Sequence, residues 1–194
     1  AVLFASESCA LDLLGAKFLR EVEPGEVVIV SEAGIRSIKP FPAQAPSHCI
    51  FEHVYFARPD SVVFGESVHQ VRQRLGRQLA REHPADADVV IAIPDSGNSA
   101  ALGYSLESGI PLEVGMMRNH YVGRTFIQPN QQTRDFQVRV KFNPVKAALT
   151  GKRVVVVDDS IVRGTTCKAR LKSIRASGAK EIHMRVSCPP ISNP

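Results

Sequence analysis

Residues 154–166 read VVVVDDSIVRGTT, a stretch whose groups suit a phosphorylated sugar. Two adjacent carboxylates, Asp158 and Asp159, end an all-apolar run, and Ser160, Arg163, Gly164, Thr165 and Thr166 follow directly. Carboxylates accept hydrogen bonds from sugar hydroxyls and attract a cation. Hydroxyls, a guanidinium and backbone N–H groups donate to phosphate oxygens. Gly164 lets the backbone bend close to such a phosphate. A helix starting at Thr165 would add unpaired N–H groups and the positive end of its dipole. One Asp or Thr there could equally be a helix cap. Capping, however, uses one such residue, not two acids and three hydroxyls around a glycine. A second candidate is Pro94-Asp95-Ser96-Gly97, which also ends an apolar run. Alone, it reads equally well as a plain strand-to-helix turn. The chain has no GxxxxGK[ST], GxGxxG or HExxH pattern, so these groups belong to none of the sites those motifs build.

The elements that must hold these residues follow from periodicity. The apolar runs at 88–93, 112–116, 152–157 and 181–186 read as strands, and 54–56 as a further short one. Helices are expected over 67–82, with Val68, Val71, Leu75 and Leu79 on one face, over 99–108 and over 165–177. Strands alternating with helices imply crossover connections and a parallel sheet. A run such as Val154-Val155-Val156-Val157, apolar at every position, suits a strand covered on both faces. Ligands of such a sheet sit beyond the carboxyl ends of its strands, where both candidate loops begin. Nearer the start, Ala10, Leu11, Leu14 and Phe18 keep helical spacing, and 26–30 reads as a strand. Residues 32–47 lose periodicity and hold Pro40, Pro42 and Pro46, which marks a linker. Residues 118–150 show no clear element. Connections of that length are usually lids or binding loops.

The chain carries a net charge of +5. That suits a polyanion, either a nucleic acid or a small polyphosphate. Much of the excess lies in 118–141, where Arg118, Arg124, Arg134, Arg139 and Lys141 face one acid, Asp135. Taken alone, such a run also fits a solvated surface. No stretch approaches the roughly 20 apolar residues needed to cross a bilayer, so no membrane association is expected. Four cysteines without a CxxC point to a reduced, cytoplasmic protein.

The segment DDSIVRGTT resembles the signature with which type I phosphoribosyltransferases bind phosphoribosyl pyrophosphate (PRPP), in the wording of the amidophosphoribosyltransferase family. The stretches FEHVYFARPDS at 51–61, IPDSGNSAA at 93–101, NHYVGRTFIQP at 119–129 and GAKEIHMRVSCPPI at 178–191 resemble that family too, in collinear order. The resemblance implies an α/β fold: a doubly wound, mainly parallel sheet with a flexible lid loop. It implies transfer of phosphoribosyl from PRPP to ammonia, drawn from glutamine in the complete enzyme, giving 5-phosphoribosylamine and pyrophosphate at the start of purine synthesis. Asp158 and Asp159 would hold the ribose hydroxyls and help place Mg²⁺. Ser160, Ile161, Val162, Arg163, Gly164, Thr165 and Thr166 would cradle the 5-phosphate. Asp95, Ser96 and Gly97 would form the pyrophosphate loop, with Ser96 near the metal. Arg118, Tyr121 and Arg124 would close over PRPP as catalytic lid residues. The family commonly has Lys where Arg118 stands and Arg where His120 stands. Purine nucleotides as feedback inhibitors and a homo-oligomeric complete protein are further implications; a nucleic-acid partner is not.

By the same resemblance, 1–33 matches the tail of a glutaminase domain through SESCALDLLG and VEPGEVVIV. Residues 34–48 would be a linker and 49–194 an incomplete phosphoribosyltransferase domain. The chain is therefore expected to lack glutaminase activity. In family members with a 4Fe–4S cluster, a Cys stands just before the FE-x-x-YF stretch, as Cys49 does. Cys49 is thus either a candidate ligand of a cluster completed elsewhere or a small buried thiol. Two other readings of the chain remain: a salvage enzyme acting on a nucleobase, and a PRPP-binding regulator without catalysis.

Overall fold

The computed structural model describes residues 1–42, 45–119, 142–162 and 164–190. At its centre lies a four-stranded sheet of β5 (Val89–Ala92), β6 (Leu112–Glu113), β9 (Arg153–Asp158) and β10 (Glu181–Val186), in the order β10-β9-β5-β6. All three pairings are parallel. Val154 to Val157 are fully buried, and successive side chains enter opposite layers. Val154 and Val156 pack with Val89, Ile91, Leu149 and Ile174, while Val155 and Val157 pack with Val90, Ala101 and Tyr104. The expectation of a doubly wound α/β sheet therefore holds. Each buried valine contributes about 1.5–3 kcal/mol relative to an exposed one, which is why β9 is apolar at every position from Val154 to Val157.

Helices α2 (Val68–Glu82) and α3 (Asn98–Ser108) cover one face. Two glycines let them touch backbone to backbone. A Cβ on Gly76 would lie 1.9 Å from the Ala100 carbonyl oxygen, and one on Gly103 2.1 Å from that of Gln73. Short α4 (Lys146–Leu149) and α5 (Thr165–Ala176) supply Leu149 and Ile174 to the other face.

Several local expectations need correction. Residues 54–56 belong to a π-helix, Glu52–Phe56, not to a strand. Burial of His53, Val54 and Ala57 beside exposed Tyr55 and Phe56 is a helical pattern that β-prone side chains disguise. The strand expected over 112–116 splits. It stops after Glu113, and β7 (Met116–Arg118) pairs with β8 (Phe142–Pro144) in a separate antiparallel ribbon. Gly115 makes the break possible, because a Cβ there would sit 2.4 Å from Ile91 Cγ2. Within 118–150, β8 and α4 are ordered elements that periodicity did not reveal, while 120–141 lies outside the described residues. Near the start, α1 (Ser8–Leu13) is shorter than expected. β1 (Val27–Ser31) forms a hairpin with β2 (Gly34–Ile38), inside the stretch read as aperiodic. A two-stranded ribbon, β3 (Val62–Val63) with β4 (Glu66–Ser67), precedes α2.

Candidate functional site

Both candidate loops open at the carboxyl end of the central sheet because β5 and β9 are neighbours there. Ile93 N–H donates to the Val157 carbonyl at 2.9 Å, and Gly97 N–H to that of Ile93 at 3.0 Å. A Cβ on Gly97 would lie 2.6 Å from the Val157 oxygen, so the loop can fold against β9 only without a side chain at that place. The Pro94–Asp95 peptide is cis. Beyond β9, Ser187 and Cys188 donate backbone N–H groups to the Asp158 and Asp159 carbonyls at 3.1 and 2.9 Å. The two acids are thereby anchored to the segment that follows β10.

A cavity of about 850 Å³ opens between these loops. Asp95, Ser96, Arg118, Asp158, Asp159, Ser160, Ile161, Val162, Gly164, Thr165 and Thr166 line it, all of them residues anticipated from the sequence. Gly97 is buried behind the wall. Arg163, Tyr121 and Arg124 lie outside the described residues. Gly164 has φ +71°, a left-handed conformation natural to glycine. It leads into α5, and among the described residues no side chain caps that helix. The first-turn N–H groups therefore face the cavity end without a side-chain acceptor.

Asp158 and Asp159 are about 95% buried. One Asp158 oxygen accepts the Asp159 N–H at 3.0 Å, and the other accepts Arg170 Nη1, also at 3.0 Å. Burial, reinforced by the Asp159 charge, pushes Asp158 up to about 6, against the pull of Arg170. Ser160 donates its hydroxyl to Asp159. On the opposite wall Arg118 is ion-paired with Asp95.

Pattern reading missed part of this cavity. Arg72, buried in α2, donates Nε to the His53 carbonyl at 2.6 Å and Nη2 to that of Ala57 at 2.9 Å, which holds the π-helix in the cavity wall. Burial lowers the Arg72 pKa, and the Asp159 charge partly restores it. Arg170 and Phe142 complete the wall, with the guanidinium 4.6 Å over the ring centre. Neither arginine breaks its helix pattern, so no local signal marks it. Phe51, Tyr55 and Phe56 also line the cavity, a place for which the family resemblance of their stretch implies no role.

No family model matches the chain. It is 58% identical over 191 residues to the chloroplastic amidophosphoribosyltransferase of Vigna aconitifolia, covering 98% of this chain and 39% of that protein. To the amidophosphoribosyltransferase of Rhizobium etli it is 55% identical over 197 residues, covering 99% and 40%. This chain is similar to amidophosphoribosyltransferases along nearly its whole length. A solved structure of glutamine PRPP amidotransferase from B. subtilis, in complex with ADP and GMP, superposes with a TM-score of 0.87 at 50% identity. It covers 97% of this chain and 42% of that one. The chain thus spans about two-fifths of the amidophosphoribosyltransferases it matches, and the fold of that part is shared. Among the described residues no helix is long and apolar enough to cross a membrane.

The oxygen donors suit Mg²⁺, a hard cation commonly held by one or two carboxylates together with substrate phosphates. Among the described residues, no group of three or more His, Cys, Asp or Glu could hold a metal by protein ligands alone. Asp158, Asp159 and Ser96 therefore fit a cation that arrives with a phosphorylated substrate. Cys49 is exposed, which corrects its reading as a small buried thiol and is compatible with one ligand of a cluster completed elsewhere.

Proposed function

We propose that this chain carries the phosphoribosyl-transfer site of an amidophosphoribosyltransferase, moving the 5-phosphoribosyl group of PRPP to ammonia with release of pyrophosphate. The observation that carries it is the single cavity joining two buried carboxylates, an uncapped helix start and the Asp95–Ser96 loop. Asp158 and Asp159 accept hydrogen bonds from the ribose hydroxyls and orient the sugar. Ser160, Arg163, Thr165, Thr166 and the N–H groups after Gly164 bind the 5-phosphate. That leaves C1 and its pyrophosphate toward Ser96 and Arg118. When C1–O cleaves, negative charge grows on the leaving group, where Arg118, with Tyr121 and Arg124, stabilises it. A bound Mg²⁺ would supply further neutralisation of pyrophosphate. Ammonia needs no activation by a protein nucleophile; it displaces pyrophosphate at C1 and gives up one proton, yielding the neutral amine.

Glutamine as the ammonia source, purine nucleotides as feedback ligands, a homo-oligomer and a cytoplasmic location complete the proposal for the whole protein. The relatives from plants are chloroplastic by name. We assign 1–33 to the end of a glutaminase domain, 34–48 to a linker and 49–194 to the transferase domain. The many exposed apolar side chains near the start, among them Phe4, Leu13, Leu14, Phe18 and Leu19, fit a segment that packs on further polypeptide. Pyrophosphate release from PRPP should require Mg²⁺ and rise with ammonia. Release that responds to adenine or another nucleobase, and not to ammonia, would establish the salvage reaction instead.

A further inference from the structure

Each carboxylate oxygen of Asp158 already accepts one hydrogen bond from within the protein. One accepts the neighbouring N–H and the other the guanidinium of Arg170, from the second turn of α5. The side chains of this pair are only 5% and 19% exposed. Arg170 also lies over Phe142, itself buried, and Phe142 is the register partner of Arg118 in the β7–β8 ribbon. One guanidinium therefore touches the acid at the end of β9 and the strand opposite the cation on the other wall.

We propose that Arg170 is a positioning residue: it fixes the Asp158 carboxylate and ties it to the ribbon that carries Arg118, so that the ribose and pyrophosphate ends of the cavity keep one spacing. The physical need comes from the two neighbouring acids. Adjacent, buried carboxylates repel, and without a fixed counter-charge either could swing away from the other. A planar guanidinium can donate along its edge to a carboxylate while its face rests on an aromatic ring; an ammonium cannot do both. Holding the acid in place before the sugar arrives removes an ordering cost from the binding step.

This inference rests on the proposed phosphoribosyl transfer for its consequence, yet one readout needs no substrate. In the ligand-free protein, the Asp158 carboxyl ¹³C signal should shift and broaden in Arg170→Met, and to a smaller degree in Phe142→Leu. An unchanged signal would overturn the clamp, whatever the protein catalyses. The second readout is a double-mutant cycle with PRPP and ammonia. Arg170→Met should lower kcat/KM at least tenfold, and Arg170→Lys should restore part of that loss. In an Asp158→Asn background the same change should cost less than threefold. Equal losses in both backgrounds would mean that Arg170 serves packing alone. Should Arg170→Met fail to fold, Arg170→Lys and Phe142→Leu carry the same comparison. A wild-type protein without PRPP turnover would refute the transfer reaction, while the carboxyl signal would still decide the clamp.

Discussion

Arg118 at the end of β7 is ion-paired with Asp95 on the loop after β5, so two walls of the cavity hold each other across the place assigned to pyrophosphate. The pair is partly exposed, with side chains 36% and 52% accessible. Such a pair is worth about 0–1 kcal/mol, up to roughly fivefold in a binding constant. An entering pyrophosphate competes with Asp95 for the guanidinium. Asp95→Asn should therefore tighten Mg²⁺–pyrophosphate binding by about two- to fivefold, and Arg118→Ala should weaken it. Calorimetry at low and high salt checks this, and the gain should shrink as salt rises. Weaker binding by Asp95→Asn would make the carboxylate a ligand contact and not a competitor.

The raised Asp158 pKa gives the site a pH signature. A carboxyl whose folded pKa is about 6, above its ordinary 3.8, prefers its proton in the folded protein. Its ionisation opposes folding above about pH 6, and that opposition disappears below about pH 4. A protonated Asp158 is also a poorer acceptor for a sugar hydroxyl and for a cation. Affinity for Mg²⁺–PRPP should fall as pH drops through about 6. Replacing Asp158 and Asp159 by Asn should leave weak binding with no inflection in that range. Circular dichroism should show the fold intact, because Asn keeps the size of Asp. Unchanged PRPP affinity in the double variant would remove both residues from the site.

The central sheet and the DDSIVRGTT loop were legible because each is a local signal. Four consecutive valines state burial on both faces, and two acids beside a glycine and hydroxyls state a site. What stayed hidden depends on contacts distant in sequence. Arg72 and Arg170 reach the cavity from helices whose surface pattern has room for any long polar side chain. The π-helix at 52–56 carries β-prone residues whose helical burial emerges only against α2. The break at Gly115 answers to Ile91, a residue on another strand. The ribbon that returns through Phe142 is too short for periodicity to register.

Two glycines should separate function from stability. In Gly97→Ala the new Cβ would press on the backbone oxygens of Val157 and Ile93, at 2.6 and 2.8 Å. The loop carrying Asp95 and Ser96 has to lift off β9, so PRPP turnover should fall more than stability does. In Gly76→Ala the clash is with the Ala100 backbone, in the contact between α2 and α3 and not in a loop that lines the cavity. Overpacking of this kind costs about 1–3 kcal/mol, and more where backbone must move. Thermal unfolding should shift strongly, while kcat/KM of the folded fraction stays near wild type. Equal loss of activity in both variants at matched stability would show that Gly97 has no special tie to the site.

The far end of the sheet offers a stability prediction that leaves the cavity untouched. Asp88, just before β5, accepts the Arg153 backbone N–H at 2.8 Å and its Nη2 at 2.6 Å, joining the starts of β5 and β9. Hydrogen bonding to the Arg153 side chain, then to its backbone, lowers Asp88 from 3.8 to about 2. A depressed carboxyl contributes stability that is complete above its unfolded value and lost as pH falls through the folded one. The window here runs from about pH 4 down to about pH 2. Asp88→Asn should melt below wild type at pH 7, and the two curves should converge across that window. The pair is partly solvent-accessible, so added salt should narrow the gap at neutral pH. Asn can still accept the backbone N–H, so the charge is the main thing removed. kcat/KM with PRPP and ammonia should not change, because Asp88 lies at the opposite ends of the strands from Asp158. A melting gap that persists at pH 2 would assign the loss to backbone geometry at the start of β9 and not to the ion pair.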